Sequence, residues 1–409
     1  MSKYDGDINV DLNYDANGDL FFDGKRLSGL VDEEPVYAYS LKTLSKRVEY
    51  YKKSCESFLT PKVDIHYAMK ANAHAEILQL MRQSGLGVDV VSGGELSLAL
   101  SLGFTGSQII FSGTGKTRHE IRLAIEHKLS QINVESPSEL LRICEIAKQE
   151  SSKNNSWKVP VVLRVNPGIE VPTHPYISTG FKENKFGLDE QLLPQCLEII
   201  KNNSQFVELK GLSQHIGSQI LDFSGFQEAL RVLRNMFENL QSQGWPVTVM
   251  DIGGGVGIDY HKSQNSDVAT IEKYMRAVAA ETQGFSGRLQ MEPGRILVAR
   301  AGVLLTQIQY IKKTPHKNFI ICNSGMNHLL RPALYQAYHR ILPVLKRVGP
   351  ELAADVVGPV CESSDFLGKD RHFTGLQEDD WLCVLDAGAY GASMMSGYNI
   401  FAKAIEKTF

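Results

Sequence analysis

The chain has 409 residues, 43% of them apolar and 22% charged, with a net charge of −3. That is a globular composition long enough for two or three domains, and with no basic block it argues against nucleic acid as a partner. No apolar stretch reaches the ~20 residues of a membrane span, the first residues lack a signal-peptide core, and the six cysteines are scattered without metal-ligand spacing. The expectation is a cytoplasmic protein with reduced thiols, no metal and no membrane partner.

Residues 8–32 carry short alternating segments with the turn signals Asn17-Gly18 and Asp23-Gly24, which predict a hairpin. Eight apolar, β-branched runs follow: Ile65–Met69, Val88–Val91, Ile109–Phe111, Ile132–Val134, Val161–Val165, Leu209–Ile216, Val247–Ile252 and Leu289–Met291. Between them lie segments with helical spacing: Ala75–Ser84, Gly94–Leu102, Arg118–Lys128, Ser136–Gln149, Glu190–Lys201, Phe226–Ser242 and Ile271–Glu281. Strands alternating with helices predict an α/β fold with a parallel sheet, and eight units suffice to close a (β/α)8 TIM-type barrel of roughly 250 residues. A doubly wound sheet is the competing arrangement. After Arg295 the alternation stops, and Val303–Ile311, Asn318–Cys322, Ala354–Val357 and Trp381–Leu385 predict strands of a second, all-β domain that the N-terminal hairpin joins. The expected division is 1–39 for the hairpin, 40–295 for the barrel and 296–409 for the β domain.

In a barrel the active site lies at the carboxyl ends of the strands. The residues there are Lys70, Asp89 within the second run, Ser112, Glu135, Arg164 with Asn166, His215, Gly253-Gly254-Gly255 and Glu292. A strand-end lysine in a cleft can have a depressed pKa and act as a nucleophile toward an aldehyde. An isolated one more often points into water, but this one has polar company in strand after strand. Consecutive glycines admit an anion close to backbone amides, and this cluster falls in the seventh βα loop, where barrels commonly bind phosphate. Ser218 and the backbone at Gly294-Arg295 could complete that cradle. A glycine cluster alone reads equally as a tight turn. Glu292 in a barrel mouth calls for a partner, and a protonated pyridine nitrogen is suitable. His215 could offer its ring face to a flat cofactor, although a lone histidine is more commonly a hydrogen-bonded core residue. Together these residues describe a site for pyridoxal 5′-phosphate (PLP).

With them assembled, the chain resembles the PLP-dependent decarboxylases of alanine-racemase-like fold, and among these the branch acting on meso-diaminopimelate. The likeness runs through Tyr67–Asn72, Val91–Glu95, Thr173–Gly180, Lys185–Gly187, His215–Gln219, the glycine cluster, Glu292–Arg295, Arg331–Tyr335, Gly358–Ser363 and Gly388–Gly391. It implies that Lys70 carries PLP, Glu292 pairs with the ring nitrogen and His215 stacks on the ring. Asp89, Ser218, Gly254, Gly255 and Gly294–Arg295 would complete the cofactor site, with Tyr390 flanking it. Cys361 and Glu362 would reach in from the other subunit of a homodimer with shared sites.

The implied reaction is decarboxylation to L-lysine and CO2, with Lys70 or Cys361 returning the proton. Arg295, Arg331, Tyr335, Glu362 and Tyr390 would read the substrate. Guanidinium suits the distal carboxylate, and Glu362 suits the distal ammonium. A related decarboxylase acting on another carboxylate-bearing amino acid, or on a siderophore or antibiotic intermediate, is the alternative. Further from it stand an amino-acid racemase and a cofactor-free regulatory homologue. Two positions depart from the family pattern. Asn323 stands where relatives usually carry aspartate, and the chain stops soon after Tyr398-Asn399, which predicts a β domain trimmed at its edge.

Overall fold

A computed structural model describes residues 8, 10–151, 157–169, 185–261 and 266–409. The Thr173–Gly180 motif and most of the polar loop 151–156 lie outside the described residues. Two compact units divide the chain: Tyr51–Gly257 with Ala269–Gly294, and Met1–Tyr50 with Ile258–Val268 and Arg295–Phe409.

The first unit is a closed barrel of eight parallel strands: Val63–Ala68, Gly87–Val90, Ile109–Phe111, Gln131–Val134, Val159–Arg164, Val207–Ser213, Val249–Asp251 and Arg288–Met291. Pairing of Met291 with Ile65 closes it, which rules out the doubly wound sheet. Strands buried on both faces need continuous apolar runs, and all six residues of Val159–Arg164 are buried. Helices return the chain between strands, and their ends are specified locally. Thr117 and Glu120 form a capping box that starts Arg118–Glu126. The Ser92 hydroxyl accepts from the Glu95 N–H at 3.2 Å to start Gly93–Ser101. Helix Ser224–Ser242 buries Phe226, Ala229, Leu230, Leu233, Phe237 and Leu240, a stripe at three- and four-residue spacing.

The second unit is mostly β. Gly302–Lys313 is its central strand, paired with Asn318–Cys322, Trp381–Val384 and Val36–Tyr39. Three short strands, Leu12–Tyr14, Leu20–Phe22 and Lys25–Arg26, form the N-terminal sheet. Asp23 and Gly24 turn it with φ of 50° and 79°, the backbone a two-residue primed hairpin requires. Leu20, Phe22 and Leu27 share a core with Val36, Ala38, Val303, Leu305, Cys383 and Leu385, so the hairpin belongs to this domain, as expected. The expected trimmed edge is corrected: Ile405–Thr408 follows Tyr398-Asn399 as a further strand, parallel to Val36–Tyr39.

A buried ion network also holds this unit. Asp267 accepts from Arg47 at 2.9 Å and from Arg300 at 3.0 Å, and Arg300 reaches Asp386 at 2.8 Å. Removing Asp267 would leave two buried guanidiniums short of a counter-charge. Asp267→Ala should therefore lose about 3–5 kcal/mol in urea unfolding. A loss under about 1 kcal/mol would show that water replaces the carboxylate.

Candidate active site

Lys70 sits in the single 3-10 turn Met69–Ala71 that follows the first barrel strand. The Tyr67 hydroxyl pins that turn by donating to the Asn72 carbonyl at 2.9 Å. Lys70 Nζ lies 3.6 Å from Asp89 Oδ2 on the second strand. Asp89 is fully buried and neither carboxylate oxygen has a hydrogen-bond partner, so Lys70 is its nearby compensating charge.

The glycine corner follows Asp251. The Gly253 N–H donates to Asp251 Oδ1 at 2.9 Å, and the Glu292 N–H donates to the Gly253 carbonyl at 2.8 Å. Gly255 has a φ of 101°, and a Cβ there would strike the Gly217 carbonyl oxygen next to Ser218. A Cβ at Gly254 would strike the Glu292 carbonyl. Gly294 packs against the lysine turn, where a Cβ would meet Ala71 at 3.1 Å and Ala68 at 3.2 Å. Side chains in this corner would drive these backbone segments apart, so glycine is what lets the loops pack this closely beside Ser218.

His215 is partly exposed in the mouth, and its Nδ1 accepts the Gly254 N–H at 3.3 Å. Desolvation, followed by the Lys70 and Arg164 charges, holds its pKa well below the ordinary histidine value. The ring is thus neutral with its proton on Nε2. Arg164 is committed to Glu135 at 2.7 Å. Glu292 is buried, and desolvation, then Asp251 and Asp89, push its pKa well above the usual carboxylate range. Desolvation also lifts Asp251, to about 6. Asp251 accepts the Gly253 N–H, which favours its ionised form, so the shared proton resides on Glu292.

In the β unit a second cluster forms around two buried arginines. Arg295 donates to the Tyr260 hydroxyl at 3.0 Å and lies 4.7 Å over the Tyr390 ring. Arg331 lies 4.4 Å over the Tyr260 ring and donates to His339 Nε2 at 2.6 Å. His339 in turn donates from Nδ1 to the Leu385 carbonyl at 2.8 Å. Burial, with Arg295 repelling it, lowers the Arg331 pKa to about 10. Tyr335 ends the short helix Arg331–Tyr335 and acts electrostatically on both guanidiniums. No carboxylate among the described residues forms an ion pair with Arg331. Cys361 and Glu362 lie exposed in loop 358–365, where Glu362 accepts from the Tyr398 hydroxyl at 2.8 Å.

Lys70, Asp89, His215, Gly254, Gly255, Glu292 and Gly294 are thus gathered in the barrel, with Ser218 beside the glycine corner. Arg295, Arg331, Tyr335 and Tyr390 are gathered in the β unit. Sequence reading missed Tyr260, His339 and the proton-sharing role of Asp251. Tyr260 and His339 stand in loops with no motif around them, and only folding brings them to the arginines.

An aldehyde for an amine, a phosphate for bare backbone and a basic ring nitrogen for a protonated carboxyl are the three handles of PLP, and the barrel residues fit each. This defines a barrel-type PLP enzyme. The family model for the pyridoxal binding domain of pyridoxal-dependent decarboxylases matches residues 41–299. Diaminopimelate decarboxylase of Aquifex aeolicus is 38% identical over 98% of this chain and 92% of its own. That of Neisseria meningitidis serogroup A is 41% identical over 91% and 88%. The crystal structure of the Helicobacter pylori diaminopimelate decarboxylase complexed with L-lysine superposes with a TM-score of 0.86 at 36% identity, covering 94% of this chain and 93% of that one. The chain belongs to the pyridoxal-dependent decarboxylases, in their diaminopimelate decarboxylase family.

Proposed function

We propose that this chain decarboxylates meso-2,6-diaminopimelate to L-lysine and CO2 with PLP as cofactor. The observation that carries the substrate assignment is Arg331. Its guanidinium is buried, is held by an aromatic face and a histidine nitrogen, and forms no ion pair with a described carboxylate. Burying an arginine without a carboxylate is costly, and a substrate bearing one at its far end compensates it. Diamine-forming substrates such as ornithine have only a cation there. Comparing CO2 release from meso-diaminopimelate, ornithine and lysine tests the reading. Preference for ornithine or lysine would overturn it.

In this reading Lys70 Nζ would hold the cofactor, with Asp89 keeping the lysine in position. His215 presents a neutral ring, and the glycine corner with Ser218 holds the phosphate. Glu292 keeps a proton available at its carboxyl for the ring nitrogen. When bound, the cofactor supplies an electron sink for the pair left at the α-carbon as CO2 departs. Lys70 Nζ or the Cys361 thiol then returns a proton to that carbon. Arg295 and Tyr390 serve cofactor and substrate together, and Tyr335 adds a hydrogen bond to the distal group.

Arg331→Ala should reduce kcat/KM for diaminopimelate by about 2–5 kcal/mol and leave PLP absorbance nearly unchanged. His339→Phe removes the acceptor that orients Arg331, together with the donor to the Leu385 carbonyl, and should give a smaller kinetic loss of the same kind with some loss of stability. Equal losses on diaminopimelate and on a substrate lacking the distal carboxylate would show that Arg331 does not read that group.

The reading includes a cytoplasmic homodimer with shared sites. No described helix is long and apolar enough to cross a membrane. Cys361 and Glu362 are exposed, and Tyr398, hydrogen-bonded to Glu362, adds exposed apolar surface with Ile400, at 46% and 96%. That is the character of a surface another subunit covers. Mixing inactive Lys70→Ala chains with inactive Glu362→Ala chains should restore part of the activity, since a mixed dimer carries one intact site. Reassociated heterodimers without activity would refute sharing.

A further inference from the structure

The end of the barrel opposite Lys70 also contains a recess. It has a volume of about 670 Å³ and is lined by residues that open the strands, among them Val63, Gly87, Glu208 and Arg288. That is within the usual range for a small-molecule site, on a face that in barrel enzymes generally serves stability rather than chemistry.

Two side chains there are more than nine-tenths buried with polar atoms left without a partner: His66 through Nδ1 and Gln290 through Oε1. Buried groups of this kind are rare in native proteins unless something outside the chain satisfies them. Gly87 shapes the place of the His66 ring, since a Cβ there would collide with its Cδ2 atom. Burial holds the His66 pKa near 4, so the ring is a neutral hydrogen-bonding group.

The charges around these two groups do not balance. Arg288 is satisfied by Asp64 through contacts of 2.7 and 2.9 Å. This leaves Lys52, Lys128 and Lys210 against Glu208 alone. Lys52 and Lys210 reach backbone carbonyls of Ser84 and Ser130, at 2.5 and 2.7 Å, which are neutral acceptors. Lys210 is largely buried, and desolvation, followed by the Arg288 charge, lowers its pKa. An anion in the recess would relieve both.

We propose that this recess is a second ligand site, for a small organic anion carrying a carboxylate or phosphate together with a hydroxyl or amine. The anionic group meets Lys210 with Lys52 and Lys128. The hydroxyl or amine lies against the wall formed by Gln290 and His66, where a side-chain rotation would bring the partnerless Gln290 Oε1 or His66 Nδ1 to it. Gln290 lies on the last barrel strand two residues before Glu292, which directly follows that strand, so an occupant would sit about one pleat below the active-site floor.

Calorimetric titration of the PLP-loaded protein with glycerol 3-phosphate, and separately with malate, at constant ionic strength tests this. The cofactor's own phosphate site is then filled. One saturable event per chain is expected, weakened about tenfold or more in Lys210→Met. Lys128→Asn should also weaken it. Asparagine tolerates the left-handed backbone at that position, where φ is 49°, so this variant folds. Glu208→Gln should tighten binding. Response to the ester alone assigns a phosphate ligand, to malate alone a carboxylate, and either supports the site. Dilution heats alone with both probes, or one affinity shared by wild type and all three variants, would overturn it. Because binding is measured apart from turnover, either result stands whatever the substrate of the active site.

Discussion

Lys70→Ala is expected to yield a folded protein that releases no measurable CO2 and lacks the visible absorbance of a lysine-linked cofactor. The reason is geometric as well as chemical. Lys70 is the amine at the end of the first barrel strand, fixed there by the 3-10 turn and by the Tyr67–Asn72 hydrogen bond. Lys116, in the loop after the third barrel strand, cannot substitute: its Nζ is bound to the Gly113 and Asn133 carbonyls and to Glu139 at 2.6–2.8 Å. Loss of Lys70 also leaves Asp89 buried without its compensating charge. The variant should therefore melt below wild type. Near-normal turnover with the visible band intact would assign the wrong lysine, whatever the melting temperature.

How much of this was legible before folding depends on what each residue's position demands of the sequence. The eight barrel strands were readable because burial on both faces favours apolar, β-branched runs, and the mouth was readable because polar residues gather at their carboxyl ends, although His66, Asn133, Lys210 and Gln290 also interrupt the runs themselves. Boundaries moved where local geometry intervened. The run ending at Ile216 stops pairing at Ser213 because Gln214–Ser218 leave the sheet to meet the glycine corner. In the β unit, strand Phe366–Thr374 escaped notice because Lys369, Asp370, Arg371 and His372 interrupt its alternation. The arginine cluster was half legible. Arg295 and Arg331 stand in recognisable segments, but Tyr260 and His339 are contributed by tertiary contacts with no local period or spacing to betray them.

Glu292→Gln should slow decarboxylation by about two to three orders of magnitude while the phosphate corner still retains the cofactor. Glutamine preserves shape and removes only the titratable proton. The structure provides an independent test in the cofactor-free protein. Burial, then Asp251 and Asp89, raise the folded-state pKa of Glu292 above its unfolded value. A raised carboxyl pKa means that the folded state binds the proton more tightly. Its stability contribution is therefore full below the unfolded pKa and is lost as pH rises through the folded one. Cofactor-free wild type should lose melting temperature from acid toward neutral and alkaline pH. Glu292→Gln should lose less over that range and become the more stable of the two at the alkaline end. Asp251, lifted to about 6 by its own burial, adds a slope in the wild type, and in the variant it no longer shares a proton with position 292. Filling the site with PLP should flatten the wild-type slope, because the ring nitrogen gives the Glu292 carboxylate a cationic partner. An unchanged turnover rate in the variant would remove Glu292 from that role. Parallel melting curves for the two cofactor-free proteins would show that the shared proton resides on Asp251 instead.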